Sequence, residues 1–148
     1  ALVHGPGQGS GFLIPALIGA LMAGGRFAMG DGRQRRDLLH VDDMVRAFLL
    51  AGEGADLGGA VINISTGLPV PMARVAEWLA ARLGAADRLD IGARPPRPRD
   101  LPLVSGRNAL AAARLGWRPE VTLEDGLERT LAWYRTRAHQ TIDGGEAG

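Results

Sequence analysis

The chain predicts an α/β fold, and three observations carry that prediction. Short apolar runs at Arg26–Met29, Leu38–Val41 and Ala60–Ile64 have the length of buried strands. Between them, Phe12 to about Ala23, Asp42 to about Glu53 and Pro71–Leu83 repeat their apolar residues at helical spacing. Glycine and proline clusters punctuate the joins. Strands alternating with helices in this way belong to sheets covered by helices.

Taken in order, residues 1–4 read as the end of a strand, followed by a glycine-rich loop, Gly5–Gly11. That loop fails the dinucleotide spacing Gly-x-Gly-x-x-Gly and lacks a phosphate-loop lysine. Pro15 falls in the first turns of the Phe12 helix, where a missing donor is tolerated. Asp42 or Asp43 is expected to cap the helix to Glu53. Ala60–Ile64 reads as a strand covered on both faces, in a parallel sheet with residues 1–4. A short strand, Arg88–Ile91, precedes Arg94–Pro102, where four prolines in nine residues favour a stiff extended loop. A helix from about Asn108 to Leu115 stops at Gly116, and a last helix runs from Leu123 to about Ala138. Thr122, with Asp125 three residues on, caps that helix. Residues 1–140 thus form one body, with 141–148 as a flexible tail.

Composition excludes several classes. Seventeen basic residues against sixteen acidic ones leave no field for nucleic acid. No run has the length of a membrane span and no secretory signal opens the chain, which fits a cytoplasmic protein. Without cysteine there are no disulfides or thiolate metal sites, and no metal centre is expected. All seventeen basic residues are arginine. A lysine base, Schiff base or phosphate point charge is therefore absent.

The most informative stretch runs from Gly30 to Asp43. Gly30-Asp31-Gly32 reads as a tight turn, and Arg33, Arg35 and Arg36 follow within four residues. A guanidinium presents a planar fork that meets phosphate oxygens two at a time. A turn that admits close backbone approach, beside such a fork, suits a phosphorylated ligand.

This stretch, Gly-Asp-Gly-x-Gln-x-Arg-Asp with Val41-Asp42-Asp43 after it, resembles the substrate-domain signature of extended short-chain dehydrogenases/reductases. These are the NAD-dependent epimerases and dehydratases of nucleotide-sugars. His4-Gly5-Pro6-Gly7-Gln8 is similar to the family's Val-Tyr-Gly-Pro-Gly-Gln, Asn63 to its Asn-Ile-Gly strand end, and Leu115-Gly116-Trp117-Arg118-Pro119 to its Leu-Gly-Trp-x-Pro. The resemblance implies the C-terminal part of a Rossmann-type enzyme: the last parallel strands plus a small α/β substrate-binding lobe.

Residue by residue, it implies that Arg36 contacts the diphosphate and that Arg97, three residues before Asp100, is a second arginine on the same group. Met29 lies where members meet the nucleotide base, Leu13 where they line the cleft, Val104 where they face the sugar, and His4 where they carry a cleft tyrosine. Each has a plainer reading: core packing for Leu13, Met29 and His4, and a surface ion pair for either arginine. His40 reads as packing, His139 as exposed, Asp42 and Asp43 as structural, and Trp117, Trp133 and Tyr134 as anchors of the last helices. Departures from the pattern are Leu2 for an asparagine, Phe12 for a polar residue, Arg99 for the glycine of Arg-x-Gly-Asp, and Arg107 for an aspartate.

The family's chemistry uses a glycine-rich NAD(P) loop and a Tyr-x-x-x-Lys pair. The one tyrosine, Tyr134, has Ala138 four residues on, and there is no lysine. The resemblance therefore places NAD or NADP, the catalytic pair and any homodimer contact in a missing N-terminal Rossmann half. This chain is expected to bind nucleotide-sugar, with no catalytic residue and no cofactor of its own. The competing readings are a stand-alone nucleotide-sugar-binding module and a structural interaction module without catalysis.

Overall fold

A computed structural model describes residues 1–53, 57–95 and 98–143. Arg97, residues 144–148 and the side chain of His139 lie outside the described part. Seven short strands and five α-helices follow in order: β1 (Leu2–His4), α1 (Leu13–Met22), β2 (Phe27–Met29), β3 (Arg35–Arg36), β4 (Leu38–His40), α2 (Val41–Gly52), β5 (Val70–Pro71), α3 (Met72–Arg82), β6 (Leu89–Ile91), β7 (Leu103–Val104), α4 (Ala109–Leu115) and α5 (Leu123–Asp143). Helix α5 continues five residues past the Ala138 expected from sequence.

The strands form three small ladders. β1 and β4 pair in parallel, with His4 opposite His40. β2 and β6 pair in parallel, with Met29 opposite Ile91. β3 is the centre of a third ladder, antiparallel to β5 and parallel to β7, placing Arg36 opposite Val70 on one side and Val104 on the other. β3, β5 and β7 escaped the sequence reading because two-residue strands carry no periodicity; they exist through distant partners.

Helix faces explain the main core. Ile14, Leu17, Ile18 and Leu21 repeat at helical spacing on α1, and Met72, Val75, Ala76 and Leu79 on α3. These stripes meet each other, Met29 and Leu38, with Leu127 and Leu131 of α5 closing the cluster. A second cluster joins Leu39, Ala47, Ala111 and Trp117, with Ile62 and Ile64 packed against it.

Two expectations are corrected here. Ala60–Ile64 forms no strand: among the described residues no ladder involves it. Its side chains still alternate, with Ile62 and Ile64 turned to the second cluster while Val61 is 87% exposed. That is the habit of a strand with one face packed and its edge unpaired. The cap of α2 also differs. His40 takes that position, its Nδ1 accepting from the Asp42 amide at 3.3 Å. Asp43, buried in the first turn, works at long range: its carboxylate accepts from the backbone N–H of Glu120 (3.1 Å) and Val121 (3.0 Å) and from Arg46 (2.7 Å). The Trp117 indole donates to the Asp43 carbonyl at 2.9 Å, so one residue fastens α2 to the segment after α4.

The remaining caps follow the sequence. Gly116 ends α4 at φ +62°, and Thr122 Oγ1 accepts from the Asp125 amide at 3.1 Å. Replacing Asp43 with alanine removes the buried acceptor of two partly buried backbone N–H groups, and a loss of about 2–3 kcal/mol is expected in urea unfolding. A loss under 1 kcal/mol would mean the segment 117–121 holds without it.

Candidate functional site

The site is built on β3 and the strand-loop junctions around it. Asp31 Oδ1 accepts from the Arg33 amide at 3.2 Å, closing the turn that enters β3. Gly32 sits at φ +65°, and a Cβ there would lie 2.7 Å from Ala73 at the start of α3. Only glycine lets the turn lie so close to that helix. Gly32 O accepts from the Ala73 amide at 2.9 Å, and Gln34 O from Met72 at 3.1 Å.

Arg36 is anchored on three sides. Its Nη1 donates to the carbonyls of Arg35 (3.0 Å) and Leu101 (2.7 Å), and its Nη2 to the Asp100 carboxylate. The side chain is 12% exposed. A guanidinium has five N–H donors; the Nε–H and the second Nη2–H have no partner among the described residues. Arg35 instead turns to the Pro69 carbonyl at 2.8 Å.

Asp37 holds this strand in place. Its buried carboxylate accepts from the Thr66 amide (2.9 Å) and hydroxyl (2.7 Å), the Gly67 amide (2.9 Å) and, more distantly, Gly106 (3.3 Å). Burial pushes the carboxyl upward, but the bonds from Thr66, Gly67 and Gly106 outweigh it and hold the pKa below the ordinary value.

The described ends of the loop after β6 border this face. The amide of Arg94 donates to Met29 O at 3.1 Å, and that of Gly92 to Gly30 O at 3.1 Å. Farther on, Asp100 and Leu101 meet Arg36, and Pro102 O accepts from the Arg35 amide at 2.8 Å. Arg36, Val104 and the backbone of Met29 are thus gathered around one loop. Val104 lies beside Arg36 in register and is exposed.

The other residues singled out from sequence stand apart. The Met29 side chain is 5% exposed and belongs to the main core; Leu13, half-buried at the start of α1, packs against the same cluster. His4 is 2% exposed and stacks edge-on with His40, ring centroids 5.5 Å apart. Three residues of chain separate Arg36 from His40, which ends β4, so the histidine pair is at the far end of that strand. A groove of about 500 Å³ opens beside Leu38, Thr66, Leu68, Val70, Arg74 and 119–124, and a smaller one, about 210 Å³, beneath Phe48 and Ile62; neither is lined by the residues singled out. Among the described residues no three His, Cys, Asp or Glu side chains are placed to hold a metal. No described helix is long and apolar enough to cross a membrane. Asp100 entered the sequence reading only as the marker for Arg97; that it and the Leu101 carbonyl orient Arg36 carried no local signal.

The histidine pair is sealed by α5. A Cβ at Gly126 would lie 2.8 Å from His4 Cε1 and 2.9 Å from His40 Cδ2, so this helix reaches the pair only with glycine there. His4 Nδ1 and His40 Nε2 are buried without partners. Burial, then the neighbouring His40, lowers the His4 pKa to about 4. Burial is the leading cause for His40 too, lowering it against the pull of Asp42.

With these geometries in place, comparison with known proteins gives a consistent result. The model of the NAD dependent epimerase/dehydratase family matches residues 1–65. A UDP-glucose 4-epimerase of Mycolicibacterium smegmatis is 34% identical over 142 residues, covering 93% of this chain and 44% of that protein. A dTDP-glucose 4,6-dehydratase of Actinoplanes sp. is 36% identical over 135 residues, 89% of this chain and 41% of that protein. Among solved structures, the Thermotoga maritima UDP-glucose 4-epimerase with UDP-glucose superposes with a TM-score of 0.84 at 32% identity, over 93% of this chain and 45% of that one. MoeE5 in complex with UDP-glucose and NAD gives 0.83 at 33%, over 93% and 46%. The chain spans less than half the length of these relatives.

The buried histidines make acid sensitivity an expected property. The folded chain refuses a proton that the unfolded chain takes up below pH 6.5, so stability is full above that pH. It is lost progressively down to about pH 4. A shift of this size corresponds to a loss on the order of 3 kcal/mol. Urea midpoints should fall from pH 7.5 to 4.5, and His4→Gln should flatten that fall; a flat profile in the parent chain refutes it. The parallel strands, the motif order and the relatives agree, and the chain belongs to the NAD-dependent epimerase/dehydratase family of extended short-chain dehydrogenases.

Proposed function

We propose that this chain supplies the nucleoside-diphosphate-binding face of a nucleotide-sugar epimerase or dehydratase. The observation that carries the reading is the anchored Arg36. Three acceptors fix the guanidinium while two N–H donors are left over, which is the state of a group set to receive oxygens from a ligand. Val104 beside it and the loop from Arg94 to Pro102 would border the diphosphate and sugar, and the Met29 end of that loop the base. Arg97 would join from the same loop. Leu13 and His4, which stand apart from Arg36, would act only as packing behind that face. In the solved relatives UDP-glucose is bound by an epimerase and, together with NAD, by MoeE5, which supports nucleotide-sugar as the ligand class.

Chemistry would need the other half of the enzyme. This chain has no lysine, and Tyr134 spends its hydroxyl on the Gln8 carbonyl at 3.0 Å. The loop Gly5–Gly11 does not have the spacing of a dinucleotide fingerprint. The residues present therefore do not fit NAD(P), which we assign to an N-terminal Rossmann half along with the proton-transferring pair. Residues 1–140 would act as the substrate-binding portion. The apolar face of α2, with Val45, Phe48 (70% exposed) and Leu49, continues onto the unpaired 60–64 edge and is where that half would meet the chain.

Two outcomes are expected. Calorimetric titration with UDP, dTDP and GDP should detect binding, and Arg36→Ala should weaken it at least about tenfold, the value of one charge-assisted bond pair. Equal affinity in the two proteins would end the diphosphate reading. Separately, Phe48→Glu should reduce self-association of the isolated chain on gel filtration. A sharp monomer peak from the unaltered chain would mean that the α2 face needs no cover.

A further inference from the structure

Arg99 stands at φ +63°, and it is the one non-glycine residue in the left-handed region among the described residues. An L side chain there crowds its own backbone, so the position is strained. Nothing in the described structure offsets the strain. The Arg99 side chain is exposed and makes no hydrogen bond or ion pair among the described residues. Strain that persists without an internal bond points to a requirement outside the fold.

The charges around Arg36 suggest what that requirement is. Arg36 is bonded to the Asp100 carboxylate, so the pair carries no net charge. Arg33 is matched by Asp31, and Arg35 faces a carbonyl on the other side of the strand. A ligand with two phosphates would meet a well-oriented donor fork whose own charge Asp100 offsets, while the Arg35 charge turns away to the Pro69 side. Arg99, immediately before Asp100, restores the positive charge at that point.

We propose that Arg99 is a specificity-determining residue, whose guanidinium supplies the charge that Asp100 cancels and so favours nucleoside diphosphates over monophosphates. The inference rests on the reading of Arg36 as the phosphate anchor. Arg36 supplies geometry, and Arg99 supplies charge. Its strained backbone is kept because a glycine there, though easier to accommodate, would bring no cation.

The test uses the full chain with Arg99→Gly and Arg99→Asn, both of which accept the left-handed conformation, and Arg99→Lys, which keeps the charge. Affinities for UDP, UMP and inorganic pyrophosphate are measured at several salt concentrations, alongside melting temperature. Arg99→Gly should melt at or above the parent chain, while its affinity for UDP and pyrophosphate falls about three- to tenfold. UMP binding should change less, salt dependence should become shallower, and Arg99→Lys should recover most of the affinity. Unchanged UDP affinity and salt dependence in Arg99→Gly, with Arg36→Ala still defective, overturns this proposal alone. An Arg36→Ala chain that binds normally overturns the diphosphate reading beneath it. No binding of UDP or pyrophosphate by the parent chain overturns both.

Discussion

The structure around β3 depends on one buried carboxylate. Asp37 gathers the amides of Thr66 and Gly67, the hydroxyl of Thr66 and the amide of Gly106. These donors come from two segments distant from the strand and from each other in sequence: the turn before β5 and the connection after β7. Both lie outside regular elements and have N–H groups with no ladder to join, so a single acceptor satisfies them together. Arg36 is the residue immediately before it, and its direction follows from the backbone that Asp37 holds.

This division of labour explains why two adjacent members of one motif differ so much in exposure and in partners. Asp37 is sealed and its bonds are internal. Arg36, 12% exposed, is oriented by carbonyls and still has donors to spare among the described residues. Asp43 plays the part of Asp37 at the other end of the lobe, joining α2 to the segment around Trp117. Two isolated carboxylates thereby fasten the pieces that short strands alone could not, since ladders of two or three residues contribute few hydrogen bonds.

Much of this was legible in the sequence, and the boundary has a physical basis. Helices α1, α3, α4 and α5 were readable because their apolar stripes and stop signals are local; Gly116 and Thr122 mark ends wherever they occur in such a pattern. The arginine of the motif was readable because its chemistry is specific. Hidden were β3, β5 and β7, each defined by neighbours more than thirty residues away on at least one side. Hidden too was the role of Asp43, which looks like a cap because it stands at a helix start, while its partners come from residues 120 and 121. The segment 60–64 shows the reverse case. Its apolar pattern is that of a strand and its side chains alternate as a strand's do, but a ladder requires a neighbour as well as a pattern.

The parallel pairing of β3 with β7 carries a consequence for how this protein can vary. Surface loops usually tolerate extra residues at small entropic cost. The proline-rich loop cannot behave that way, because it is tethered at Met29 and Gly30 on one end and runs into β7 on the other. An insertion of one residue near its end would slide β7 by one step and invert which side chains face each way. Leu101 and Asp100 would leave the guanidinium together. Length in this loop is thus under tighter restraint than composition, and change there is accommodated by replacing residues in place.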